Sequence, residues 1–395
     1  MIDGLINFDM DEVSPTIIKV IGVGGGGGNA VRYMYEQGIR DVDFVICNTD
    51  KQVLADNPVT WQIQLGVELT NGLGAGNCPS VGEAAANESM EEIRAMLATN
   101  TRMAFITATM GGGTGTGASP VIARVAKEMG ILTVGVVTIP SRLDGPQRLA
   151  QAHDGIKRLQ EHVDAMIVID NEKIRHIYSA ETLSSAFAKA NDVLKIAVKG
   201  IAEIITLPGY VNVDFADVVT VMTESNMMII GAARESGADR ANRVIAQALN
   251  SPLLNKSDIS GAKNILLNIT SGVEDDEITM DEMTEITSYV IDKVGDTASV
   301  IWGVGTDEAL GGNLSVTIIA TGFPFTEVDE MFEMYAATDA VPPRKTTIPN
   351  GATDYVEILL KESDVLLREN LTPDQVEELK VVPAYKRRHV KVTEI

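Results

Sequence analysis

Met110-Gly111-Gly112-Gly113-Thr114-Gly115-Thr116-Gly117-Ala118-Ser119-Pro120 decides how this chain folds. It follows a strand-like segment at 103–109 and precedes a helix-like one at 121–128. Five glycines and two threonines at a strand-to-helix turn make a backbone that can approach an anion closely. Glycine permits the dihedrals, and the amides of a helix start point at the charge. The threonine hydroxyls add donors. This is a phosphate cradle without a lysine, and no Walker A spacing occurs anywhere in the chain, which argues against a P-loop NTPase.

Working outward, apolar segments at 17–23, 42–47, 103–109, 132–138 and 165–169 alternate with helical patterns such as 29–37. That alternation predicts an α/β fold with a parallel sheet covered on both faces. Residues 184–207 carry Ala186, Ala190, Leu194, Ala197, Ile201 and Ile204 at spacings of three and four, the stripe of one long helix, which Pro208-Gly209 stops. A second, smaller α/β unit follows, with strands expected at 218–222, 262–269, 298–305 and 314–321. The expected organisation is a flexible leader at 1–14, a nucleotide domain at 15–183, a central helix at 184–208 and a C-terminal α/β domain at 209–325. An acidic linker at 326–380 and a short basic peptide at 381–395 complete it. Thr372-Pro373-Asp374 reads as a short helix start within that linker.

The formal net charge of −23 argues against nucleic acid as a main partner, because phosphate backbones need a basic surface. Cys47 and Cys78 form neither a disulfide framework nor a zinc spacing, which suits a reducing cytoplasm. The four histidines are scattered, so a histidine metal site is not expected. No apolar run reaches the roughly 18 residues of a membrane span, and Met1-Ile2-Asp3-Gly4 lacks the regions of a signal peptide.

Two further glycine loops add to the cradle. Gly22-x-Gly24-x-x-Gly27 satisfies the dinucleotide fingerprint, which keeps a nicotinamide oxidoreductase as an alternative. Five consecutive glycines match many spacings by chance, and Asp43 and Asp50 are imperfect candidates for the acid about 20 residues on. Leu73-Gly74-Ala75-Gly76 is the third loop. Several amide-rich loops suit a triphosphate better than a dinucleotide. Phe187 and Asn191, four apart, share one helix face; the same spacing fits a base-reading pair or a buried Phe beside a satisfied Asn. Asp214 and Asp217, three apart at a helix start, read as an N-cap and a first-turn acid or as two carboxylates facing one way.

The GGGTGTG run, Gly22 to Ala30, Leu73 to Gly76, Ala186-Phe187 through Leu194, and Asn212-Val213-Asp214-Phe215-Ala216-Asp217 resemble the tubulin/FtsZ family of GTPases, in the family's order, over about residues 15–325. The resemblance implies a GTP-binding domain joined by a central helix to a smaller α/β domain. It places Gly24, Gly25, Gly26 and Asn29 near the phosphates, Gly111, Gly112, Gly113, Gly115 and Gly117 around them, and Thr114 and Thr116 as donors. Ala75 and Gly76 fall near the γ-phosphate, Asn171 at the nucleoside, Phe187 at the base and Asn191 on the guanine edge. Asn212, Asp214 and Asp217 become catalytic groups inserted into the next subunit's site, with Mg²⁺ held mainly by phosphates and water. The implied activity is GTP hydrolysis to GDP and phosphate in a head-to-tail homopolymer at the mid-cell division ring. A scaffold that keeps the fold without the chemistry is the third reading.

The chain departs from the family pattern at Ser141-Arg142-Leu143-Asp144, where Phe-x-Phe-Glu is usual, and at Asn77-Cys78. Asp144 is one methylene shorter than the family's ribose-binding glutamate, while Arg148 keeps its place near the phosphates. Val382-Pro383-Ala384-Tyr385-Lys386-Arg387-Arg388 is similar to the peptide by which this family docks on membrane tethers such as FtsA. The same segment also reads as a solvated basic tail.

Overall fold

The structure, a computed structural model, describes residues 16–206, 209–250, 259–295 and 298–339. The 1–14 leader, the Thr372 helix start and the 381–395 peptide lie outside the described residues.

The N-terminal half runs β1 (Ile18–Val23), α1 (Gly24–Glu36), β2 (Asp43–Asn48), α2 (Lys51–Ala55), β3 (Trp61–Gln64), α3 (Val67–Thr70), α4 (Pro79–Glu88) and α5 (Met90–Ala98). It continues with β4 (Met103–Thr109), α6 (Gly113–Glu128), β5 (Leu132–Ile139), α7 (Pro146–Gln160), β6 (Ala165–Asp170) and α8 (Asn171–Ile177). Helix α9 (Leu183–Thr206) leads to β7 (Gly209–Val211), α10 (Phe215–Met222), β8 (Asn226–Ser236), α11 (Arg240–Leu249) and β9 (Asn264–Ser271). Then come α12 (Met280–Val294), β10 (Ser299–Thr306), β11 (Asn313–Phe323) and α13 (Thr326–Asp339).

The strands form one sheet in the order β3-β2-β1-β4-β5-β6-β8-β11-β9-β10-β7. Strands β1 to β6 are all parallel. They join the C-terminal half through β6 and β8, paired at Ala165–Asn226 and Met166–Met227. There β11 is antiparallel to β8 and β9, while β10 is parallel to β9.

The central strands are apolar throughout because both faces are buried. Met103 and Phe105 of β4 join one core cluster, and Ala104, Ile106 and Ala108 join the other. Lys19 interrupts the β1 pattern, yet it is fully buried: its Nζ lies 2.8 Å from Asp43 Oδ2 and 4.5 Å from the centre of the Trp61 ring. Gly22 interrupts it because α1 passes too closely for a side chain; a Cβ there would sit 2.5 Å from the Gly27 carbonyl oxygen.

Helix α9 buries the expected stripe, including Ala190, Leu194, Ala197, Ile201 and Ile204. Its cluster holds Phe105 and Val134 from one half of the sheet and Met228, Leu266 and Ile319 from the other. Each buried Leu, Ile or Val contributes about 1.5–3 kcal/mol, so one helix ties both halves together.

Two sequence expectations fail. Residues 218–222 are helix, not strand: Asp214 caps α10 by accepting from the Asp217 N–H at 2.8 Å, and this outweighs the β-branched run at Val218, Val219 and Val221. Residues 326–339 are helix α13, not the start of a linker, because Val328, Met331, Phe332 and Tyr335 recur at helical spacing and are buried.

In the C-terminal half, Arg240 organises α11, α12 and two loops. Its guanidinium donates to Glu282 at 2.7 and 3.1 Å and to the carbonyls of Asp276, Glu277 and Gly312. The Arg240 hydrogen bond holds the Glu282 carboxyl below its usual range. Arg240→Leu leaves that carboxylate without its cation and is expected to cost about 3 kcal/mol, the low end for breaking a buried pair. A carboxyl depressed in the folded state contributes fully above its unfolded pKa, and the contribution vanishes as pH falls through the folded value. Urea unfolding at neutral and acid pH therefore gives a smaller acid-side loss in Arg240→Leu than in the wild type.

Candidate functional site

The chain steps from β1 to β2 and β3 in one direction across the sheet, and from β4 to β5 and β6 in the other. A doubly wound sheet opens a crevice at such a reversal, beyond the carboxyl ends of the strands. There the structure has a cavity of about 500 Å³. Of the sequence-predicted residues, it is lined by Gly25, Gly26, Asn29, Gly112, Gly113, Thr114, Gly115, Asp144, Arg148, Asn171 and Asn191.

Two helices begin at this cavity. Helix α1 starts directly after β1, and α6 starts at Gly113, after Gly112. Neither N-terminus has a side-chain cap, and neither first turn carries an acid. Unsatisfied first-turn amides and the positive ends of two helix dipoles therefore meet at one place. That arrangement is suited to a polyanion.

The glycines divide by what surrounds them. At Gly25 and Gly112 a Cβ would meet open space, and both residues line the cavity. At most other glycines of these loops the neighbour is protein. A Cβ at Gly24, whose φ is +72°, would lie 2.8 Å from the Gly115 nitrogen, so the first two loops touch here. One at Gly117 would lie 1.9 Å from the Pro79 carbonyl oxygen, and one at Gly82 would lie 2.4 Å from that of Gly113. Helix α4 therefore packs on α6 through glycines, and the third loop comes with it. Ala75 is buried against Gly113, although neither Ala75 nor Gly76 lines the cavity.

The two threonines separate likewise. Thr114 lines the cavity with its Oγ1 2.6 Å from that of Thr49. Thr116 is fully buried, and its hydroxyl accepts from the Gly111 N–H at 2.8 Å. It shapes the turn and does not face the cavity, contrary to its expected role as a donor. Sequence reading missed Thr107, Thr109 and Thr138, which also line the cavity at the ends of β4 and β5. The strand-end rule was the signal that could have found them.

At the other end of the cavity, Asp144 closes a short 3₁₀ turn, Arg142–Asp144. Its carboxylate accepts from the Ser141 N–H at 3.1 Å and from Arg148 Nη1 at 3.3 Å. Both side chains are partly exposed, so this ion pair positions more than it stabilises. Asn171 begins α8, and its buried Oδ1 has no hydrogen-bond partner among the described residues. An acceptor aimed at a cavity and left unsatisfied fits a ligand donor. Asn191 lines the cavity from α9. Phe187 belongs to the same helix, and its side chain lies outside the described residues.

Asn212, Asp214 and Asp217 do not line this cavity. They sit beside β7, at the far edge of the sheet. The Asn212 side chain accepts from the Gly209 N–H at 2.6 Å. Asp214 and Asp217 cap each other's amides, at 2.8 and 3.3 Å. Tyr210 and Asp214 are exposed. Among the described residues, no three His, Cys, Asp or Glu side chains group so as to hold a metal ion, and no helix is long and apolar enough to cross a membrane. Burial pushes the Cys47 thiol up to about 12, whereas Cys78 is exposed.

A doubly wound sheet with two uncapped helix starts at its switch point defines a nucleotide-binding protein, and the comparisons specify which. The GTPase domain of the Tubulin/FtsZ family matches residues 17–179, and the FtsZ family C-terminal domain matches 225–324. The cell division protein FtsZ of Porphyromonas gingivalis is 43% identical over 389 residues, covering 97% of this chain and 82% of the relative. That of Coxiella burnetii is 46% identical over 357 residues, 89% of each. A solved FtsZ dimer from M. jannaschii has 40% identity and a TM-score of 0.70, covering 79% of this chain and 89% of that one. A GTPγS-bound protofilament of CetZ2 from Haloferax volcanii shares the fold at 22% identity, with a TM-score of 0.67 over 82% of this chain and 98% of that one. The chain belongs to the FtsZ family of cell-division GTPases.

The two classes of glycine make a test. Gly112→Ala and Gly25→Ala should leave nucleotide-free stability within about 0.5 kcal/mol while weakening GDP binding at least tenfold, because the new methyl occupies the cradle. Gly117→Ala should instead lower stability by about 1–3 kcal/mol through overpacking. Thermal unfolding and calorimetric titration with GDP separate the two effects.

Proposed function

We propose that the phosphates of GTP lie over the first turns of α1 and α6, with the ribose toward Asn171 and Asp144 and the guanine toward Asn191. Hydrolysis then takes place between two copies of the chain. One observation carries this reading. The described cavity lining offers a single carboxylate, Asp144, already paired with Arg148, while Asp214, exposed, and Asp217, partly exposed, stand beside the far edge of the sheet. A site rich in donors and poor in bases binds a triphosphate without orienting water on it. The missing group is available on the surface of a second copy.

In this mechanism the Gly24–Gly26 and Gly112–Gly115 amides hold the phosphates and receive the charge that develops on the leaving group. Mg²⁺, when bound, would be held by phosphate oxygens and water and would supply further charge neutralisation, which suits an ion that keeps much of its hydration. The 209–217 loop of the next subunit brings Asn212, Asp214 and Asp217 to the γ-phosphate, where the carboxylates orient a water for in-line attack. Such a contact joins unlike surfaces and does not close, so copies add head to tail into filaments. The solved FtsZ dimer of M. jannaschii agrees with self-association. The proposed setting is the division ring, with residues 382–388 docking on a membrane tether of the FtsA kind.

Capping and catalysis by Asp214 are separable. Serine is as good an N-cap as aspartate but carries no charge. Asp214→Ser should assemble with GTP at near wild-type concentrations yet release phosphate at least a hundredfold more slowly. Mixing it with Gly112→Ala, which keeps the loop but loses the cradle, should restore activity at about a quarter of the contacts. Normal turnover by Asp214→Ser, or no recovery on mixing, contradicts the proposal.

A further inference from the structure

Helix α13 follows the last strand of the C-terminal half and packs on the N-terminal half, beside the nucleoside end of the cavity. Asp329 accepts from Lys157 at 3.1 Å and lies 2.7 Å from His153 Nε2, both on α7. Phe332 lies against the His153 ring, with centroids 4.5 Å apart. One turn on, Tyr335 is 4% exposed and touches two segments that carry cavity residues.

Its hydroxyl donates to Asp170 Oδ2. The other oxygen of that carboxylate accepts from the Glu172 N–H at 2.8 Å and so caps α8. Asn171, with its unsatisfied acceptor, lies between the two. On its other side the Tyr335 ring carries the Arg142 guanidinium, 4.9 Å from the ring centre. The Arg142 N–H donates to Glu172 at 3.2 Å, and Arg142 opens the turn that ends at Asp144. One side chain thus braces both the 141–144 turn and the 170–172 corner.

We propose that Tyr335 is a positioning residue for the nucleotide's ribose: its hydroxyl sets Asn171 through Asp170, and its ring sets Asp144 through Arg142. This rests on the reading of the cavity as a guanine-nucleotide site. The turn at 141–143 has no aromatic of its own, and Tyr335 brings one from more than 190 residues away in the chain. Burial and the neighbouring Asp170 hold the phenol well above its ordinary pKa, so it stays a donor throughout the working pH range.

The test uses the full chain, kept below its assembly concentration. Tyr335→Phe removes the hydroxyl and keeps the ring; Tyr335→Leu removes both. Val328→Ala trims a buried side chain of the same helix and keeps the Tyr335 contacts with Asp170 and Arg142 in place. Calorimetric binding of GDP and of 2′-deoxy-GDP is the readout, with thermal unfolding in parallel. Tyr335→Phe should weaken GDP about tenfold, the effect of one hydrogen bond, and narrow the preference for GDP over the deoxy form. Tyr335→Leu should go further on both counts, while Val328→Ala lowers the melting temperature and leaves both affinities unchanged. Unchanged affinity and preference in Tyr335→Phe overturn the inference, as does Val328→Ala reproducing the tyrosine effect. Failure of the wild type to bind GDP overturns the cavity reading and the inference together; binding by the wild type with no change in Tyr335→Phe overturns the inference alone.

Discussion

Two helices start at the same point in space, and neither start is capped by a side chain. Bare amides and two dipole ends together are unfavourable unless something negative or aqueous fills the space between them. The rest of the N-terminal half exists in a form that tolerates this. The parallel sheet aims β1 and β4 at one crevice, and the glycines let the loops after them come within contact distance. Helix α4 then seats the third loop against the second.

Much of this is legible in the sequence because it is local. The GGGTGTG run between a strand and a helix sets the loop, and Asn29, Asp144, Arg148, Asn171 and Asn191 all line one cavity. The errors come where one signal stands for two causes. Both glycine stretches read as loops in the sequence, yet α1 and α6 begin inside them, because packing outweighs the low helix propensity of glycine. Thr116 and Gly117 belong to the motif by spacing, but one faces Gly111 and the other α4, which spacing alone does not reveal. The strand expected at 218–222 is the same confusion reversed: a β-branched run promised a strand while Asp214 and Asp217 were already writing a helix start.

Long-range features were less legible. Strand β8 begins inside Asn226-Met227-Met228-Ile229-Ile230, an apolar run with no two-residue alternation, so nothing local separates it from a buried helix. Helix α13 was hidden by its surroundings: acidic residues around Val328, Met331, Phe332 and Tyr335 suggested a linker. What orders it is a surface made by α7 and the 170–172 corner, more than 150 residues earlier in the chain.

The glycine contacts have an evolutionary consequence. Where main chain lies against main chain, as at Gly24, Gly82 and Gly117, almost any substitution moves a backbone rather than a side chain. The packing behind the cradle therefore has little freedom to drift. Asn171, Asn191 and Asp144 present side chains to the cavity, and there a substitution changes a side chain rather than a backbone. A lineage or an engineer reshaping this cavity would leave those glycines untouched and work through its side chains.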